Sequence, residues 1–152
     1  MRGSAGDRAY ADSKPSLSIT REEVLKLLKA GRDGVRGWNA IKAGLAELPS
    51  LAGICLHNAD GLDGVDLSGI NLAGADLSGA MLEEANFARC NLVQANLSNS
   101  MLHGASFAGA NLQRANLGNA GVDRTNFSGA NLSGAYLPVK LWGAPGTRGL
   151  FG

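Results

Sequence analysis

The sequence predicts an all-β solenoid whose turns are square, and three observations carry that prediction. First, every fifth residue from Leu62 to Leu137 is a bulky apolar one. The series is Leu62, Leu67, Leu72, Leu77, Leu82, Phe87, Leu92, Leu97, Leu102, Phe107, Leu112, Leu117, Val122, Phe127, Leu132 and Leu137, sixteen centres without a miss. A period of five fits neither an α-helix (about 3.6) nor a flat strand (about 2), so the chain must coil. Second, the only Phe centres, Phe87, Phe107 and Phe127, lie 20 residues apart. Four units closing one turn stack such residues in one column at about 4.8 Å; three-unit turns scatter them. Third, the position two before the centre is small, with ten Ala in fifteen units, the others being Val65, Ile70, Cys90, Ser100 and Thr125. A second inward side chain beside a bulky centre must be small to fit.

Taken from the N-terminus, residues 1–18 are polar and small and read as a flexible arm or tag remnant. Met-Arg-Gly-Ser has no apolar core, so no signal peptide is expected. Residues 19–50 are expected to form a helical N-terminal cap. Thr20 and Glu23 make a capping box, followed by Val24, Leu25, Leu27, Leu28 and Ala30 at helical spacing up to Gly31. A second helix is expected over about 35–45, with Val35, Trp38, Ile41 and Leu45. A solenoid exposes an apolar disc and open strand edges at each end, so the helix pair reads as a lid with Trp38 as its plug. Residues 51–139 form the repeat region. Pro138 ends the pattern, and 140–152 read as a C-terminal cap and tail in which Leu141 and Trp142 cover the last coil.

Within the repeats, the residue before the centre is Asn or Asp in ten of fifteen units, and Ser, Ala or Gly mostly follow it. Asn and Asp can bond nearby backbone groups at corners, and Gly accepts positive φ there. Each buried centre contributes roughly 1.5–3 kcal/mol before chain entropy is subtracted. The clearest units are Ala-Asn-Leu-Ser-Gly at 130–134 and Ala-Asp-Leu-Ser-Gly at 75–79. Fifteen such units in one register over about 60–139 strongly resemble the pentapeptide-repeat family. The resemblance implies a right-handed quadrilateral β-helix, here of about four coils and roughly 19 Å long. The Trp38-Asn39 pair in the charged N-terminal helices is similar to segments seen in bacterial, often cyanobacterial, members.

Leu67, Leu72, Leu77, Phe87, Phe107 and Phe127 are assigned to the core. Cys90 joins them as a small inward hydrophobe between Ile70 and Ala110, and Cys55, just before the first coil, is read as structural too. Two unpaired thiols suit a reducing cytoplasm.

Composition and spacing disfavour chemistry. His57 and His103 are 46 residues apart, no Cys/His group has zinc spacing, and no Ser is seen to pair with a His and an acid. Catalytic, metal and cofactor-binding residues are therefore expected to be absent, and so is enzyme activity. No apolar run reaches membrane-spanning length. Residues 51–139 carry seven acids and three bases, a balance of −4, and residues 1–50 carry nine bases and six acids, a balance of +3. An acidic rod repels phosphate, so nucleic acid is a disfavoured partner.

One face departs from the repeat. Around Leu62, Leu82, Leu102 and Val122, the residues before the centre are Gly61, Met81, Met101 and Gly121 in place of Asn or Asp. The residues after it are Asp63, Glu83, His103 and Asp123, then Gly64, Glu84, Gly104 and Arg124. Outward Met serves adaptable binding surfaces, and departures from a local rule tend to mark function. Met81, Glu83, Glu84, Met101, His103, Asp123 and Arg124 are therefore the candidate partner face. The expected function is a cytoplasmic, non-enzymatic interaction or regulatory scaffold for a protein partner, as a monomer or a weak dimer through a rod end. Two alternatives stand beside it. One, which the family resemblance implies, is a DNA-mimicking modulator of DNA gyrase. The other is a structural or engineered rod with no partner.

Overall fold

The structure is a computed structural model that describes residues 17–141. The arm expected at the N-terminus falls outside these residues except for Leu17 and Ser18, and Leu17 is already tied to Leu45 by a parallel bridge. Trp142, the expected C-terminal plug, also falls outside them.

Each five-residue unit has one conformation. A small inward residue, an outward residue and an inward centre form one side of the coil, and two turn residues make the corner. The N–H after the corner closes it by donating to the centre's carbonyl, as Val65 N does to Leu62 O at 3.1 Å. The outward residues pair across coils through parallel bridges: Asp66 with Asn86, Asn71 with Asn91, Met81 with Met101 and so on to Asn116 with Tyr136. Those bridges join residues 20 apart, so four units make one turn. The Phe column follows from that register. Phe87 and Phe107 stack with centroids 4.9 Å apart and planes 5° from parallel. Phe107 and Phe127 stack at 5.3 Å and 8°.

The solenoid starts earlier than the beat of five indicates. Leu51 and Leu56 are also buried centres, at 0% and 2% exposure. The first bridge on their side, Cys55 with Asp76, spans 21 residues instead of 20. The extra residue lies between Leu56 and Leu62, six apart, and it breaks the period. Gly61 sits there with φ +70°, and a Cβ on it would press against the backbone N of Arg32 at 2.9 Å. The insertion is therefore where the helical segment docks.

That segment is α1 (Arg21–Lys29) followed by α2 (Gly31–Lys42). The capping box is present: Glu23 N donates to Thr20 Oγ1 at 3.2 Å, and Thr20 N donates to Glu23 Oε2 at 2.8 Å. α2 begins at Gly31, four residues before the expected start. Gly31 has φ +68°, which lets one residue both leave α1 and open α2 with only Ala30 between them. A Cβ at Gly34 would collide with the Leu27 carbonyl, so the two helices cross there at backbone distance.

α2 closes the open edge of the first coil with side chains that take the place of backbone. In the regular ladder Asn86 N donates to Val65 O, and Asn86 O accepts from Leu67 N. One coil earlier there is no strand above Asp66. Its N–H donates to Asn39 Oδ1 at 2.9 Å, and its carbonyl accepts from Trp38 Nε1 at 2.7 Å. Asn39 Nδ2 donates to Gly64 O at 2.9 Å. Lys42 Nζ reaches Ser68 Oγ at 2.8 Å and Asp66 Oδ1 at 3.2 Å. Trp38 is fully buried, so its ring plugs the apolar disc while its N–H satisfies the edge. At the other end, Val139–Leu141 forms a 3₁₀ turn after Pro138, and Leu141 packs partly against the core.

Candidate functional site

Most outward positions are used structurally. Asn71, Asn91, Asn111 and Asn131 each accept from the N–H two residues on, at 3.1 to 3.3 Å. Asn91 Nδ2 also donates to Asn71 Oδ1 at 3.1 Å, which links the coils along the rod. These bonds satisfy the first corner N–H locally, and so account for Asn and Asp before the centre.

The Leu62, Leu82, Leu102 and Val122 face is different. The ladder runs from Met81 to Met101 to Gly121. Glu84 N donates to His103 O at 2.9 Å, and Gly104 N donates to Asp123 O at 3.0 Å. Met81, Glu83, Glu84, Met101, His103, Asp123 and Arg124 are thereby brought onto one side of the rod. Met81 and Met101 are 38% and 45% exposed, although a thioether gains nothing from water. Beside them, at the adjoining corner, a shallow groove is lined by Glu83, Glu84, His103, Gly104 and Arg124. Glu84 and Arg124 occupy the second corner position with φ of 57° and 59°, where Gly64 and Gly104 sit in the alternate coils. A non-Gly residue in that region costs on the order of 1 kcal/mol.

Gly61 and Gly121 have packing explanations. Gly61 lies against Arg32, and a Cβ on Gly121 would meet the His103 ring at 2.8 Å. The Met pair is therefore a window in the outward column, framed by the cap above and by His103 below. His103 Nδ1 lies 3.5 Å from Asp123 Oδ2, which also receives Lys140 Nζ at 3.3 Å.

The remaining assigned residues take other places. Leu67, Leu72, Leu77, Phe87, Cys90 and Phe107 are at most 2% exposed, and Phe127 is 7% exposed at the last coil. Cys90 donates its thiol to Leu67 O at 2.8 Å, and burial pushes its pKa up to about 12. Cys55 is not packed as expected; it is exposed. It occupies the outward bridge position before Leu56, a centre that the period from Leu62 does not reach.

One grouping was not legible in the sequence. His57 Nδ1 lies 2.8 Å from Ser78 Oγ, and Ser78 Oγ donates to Asp76 Oδ1 at 2.6 Å. Asn58 Nδ2 lies 2.8 Å from His57 Nε2. His57 and Ser78 both follow a centre, but the one-residue insertion puts them 21 apart. With Asn58 donating to Nε2, the imidazole donates from Nδ1 and the serine proton goes to the carboxylate. A catalytic serine needs the opposite order, with the His as acceptor. The Ser78 hydroxyl and N–H hold the Asp76 carboxyl below its ordinary pKa range. Asp66 is lowered as well: burial acts to raise it, but bonds from Ser68 and Lys42 outweigh that. Both carboxylates serve the frame. Among the described residues, no three His, Cys, Asp or Glu side chains are grouped to hold a metal ion, and no helix is long and apolar enough to cross a membrane.

Square turns of four units around a Leu and Phe axis, with Asn ladders outside, define a β-helical repeat protein. The pentapeptide-repeat model matches residues 62–99, 82–119 and 105–138, half of the chain, and the chain belongs to that family. Pentapeptide-repeat proteins form right-handed quadrilateral β-helices. No curated protein matches the chain. Among solved structures, it is similar to a pentapeptide-repeat protein of the Arabidopsis thaliana thylakoid lumen, at 31% identity over 57% of this chain and 52% of that one, TM-score 0.46. A protein of the cyanobacterium Cyanothece is 30% identical over 59% of this chain and 60% of that one, TM-score 0.45. One from Nostoc is 22% identical over 81% and 89%, TM-score 0.45. The chain thus spans little more than half the length of the first two.

Proposed function

We propose that this chain is a non-enzymatic interaction scaffold. In this reading it is a rod of about four coils, closed at the N-terminal end by α1 and α2, that presents the Met81/Met101 face to a protein partner in the cytoplasm. The observation that supports it is the exchange of Asn for Met at two stacked, exposed positions. Asn there would accept from the N–H two residues on, as it does in the Asn71 column. At Met81 that N–H, of Glu83, is met instead by Asp63 Oδ1 at 3.3 Å, so what the exchange adds is apolar surface in water that the repeat does not need. Met81→Asn with Met101→Asn is expected to keep or raise the thermal midpoint and to remove capture of the partner from the native host. Undiminished capture by the double variant overturns the reading.

The acidic rod gives a second reading, a DNA-like modulator of gyrase, which predicts inhibition in a supercoiling assay. Against it, Arg89, Arg114 and Arg124 follow Phe87, Leu112 and Val122 and so stand on three different faces, which interrupts any continuous negative stripe.

A further inference from the structure

The docking-face reading leaves the partner's chemistry open, and the charges beside the Met window address it. Asp63, Glu83, His103 and Asp123 stack one per coil along the rod, next to Met81 and Met101. Like charges facing each other at rung spacing repel. The column is relieved at both ends by cations from outside the repeats. Arg32 of α2 places Nη2 3.7 Å from Asp63 Oδ2. Lys140 of the 3₁₀ turn places Nζ 3.3 Å from Asp123 Oδ1. In the middle, Glu83 and Glu84 are exposed and form no ion pair among the described residues. They lie beside the two exposed thioethers and line the shallow groove with His103 and Arg124.

We infer that this face takes a cationic amphipathic segment of a partner protein. Its Lys or Arg side chains sit on Glu83 and Glu84, as Arg32 and Lys140 sit on the column's ends, and its apolar side chains cover Met81 and Met101. The charge complement selects the partner and speeds encounter, while the desolvated Met pair supplies most of the affinity. An anionic segment meets two carboxylates against the single guanidinium of Arg124 at the same place and is disfavoured.

The inference rests on the docking-face reading, and the test separates the two. The full chain is titrated, by fluorescence anisotropy, with two labelled helical peptides of roughly four turns. They share the same Leu stripe and carry either Lys or Glu at all polar positions. The Lys peptide is expected to bind about tenfold more tightly than the Glu peptide, with the preference shrinking as salt rises. Glu83→Lys with Glu84→Lys is expected to abolish or reverse that preference. Glu22→Lys with Glu47→Lys, at exposed positions elsewhere, is expected to leave it intact. Met81→Asn with Met101→Asn is expected to weaken the Lys peptide by about tenfold or more. No binding of the Lys peptide, equal binding of both peptides, or a preference that survives Glu83→Lys/Glu84→Lys overturns the inference. If the Met variant still loses the host partner in those cases, the docking-face reading stands without it. If neither pair of substitutions changes peptide or partner binding, both fall.

Discussion

The two thiols show how much one position in a five-residue unit decides. Cys90 points inward, is 2% exposed and bonds a carbonyl of the neighbouring coil. Cys55 occupies the outward position and is exposed. Thiolate is the nucleophile, and burial keeps Cys90 in the thiol form well above neutral pH. Iodoacetamide at neutral pH is therefore expected to alkylate Cys55 alone in the native chain, and both residues after denaturation. Mass spectrometry of the modified peptides reads this directly; native labelling of Cys90 would contradict its placement. The inward role of Cys90 was legible from the period. The outward place of Cys55 was not, because the residue inserted before Leu62 hides its register. The same insertion hid the contact of His57 with Ser78.

Among the elements, α2 does what no repeat can do for itself: it ends the ladder. Trp38 and Asn39 give the Asp66 backbone the donor and the acceptor that a preceding coil would give, and Asn39 ties the Gly64 carbonyl as well. Asn39→Ala removes both side-chain bonds and leaves an edge N–H and a carbonyl without their partners. An unmade bond of this kind costs about 1–3 kcal/mol. For a chain of this size that lowers the thermal midpoint by roughly 2–10 °C, measurable by circular dichroism. Asn39→Asp keeps the acceptor for Asp66 N but loses the donor to Gly64 O, and is expected to fall between Ala and wild type. A midpoint unchanged in Asn39→Ala would show that water replaces the side chain and that the rung mimicry is not stabilising. The capping box and the apolar spacing made both helices legible. The start of α2 was not, since Gly31 reads as a helix stop until the second helix is seen to fold back at Gly34.

Across the whole molecule, stability is shared between coils because each centre packs on the centres above and below it. Phe107 lies between two stacked rings, whereas Phe127 has one ring partner and is partly open at the last coil. Phe107→Ala is expected to cost about 3–5 kcal/mol and to lower the midpoint as one cooperative transition. Phe127→Ala is expected to cost clearly less; equal costs in chemical denaturation would mean that the column does not couple the coils. The sequence alone carried the repeat, the square turn and the core, because one buried axis imposes one period, and three Phe residues 20 apart mark the turn length. It also marked the Met face as the place where the outward rule lapses. The folded structure was needed to tell which of those lapses matter. Gly61 and Gly121 proved to be close approaches to Arg32 and the His103 ring, leaving Met81 and Met101 exposed between them. It alone also showed the 21-residue first turn and the side chains that complete its edge. The physical reason is that a period records what every coil must bury, whereas a docking cap and an exposed face depend on contacts made once, between residues with no fixed spacing.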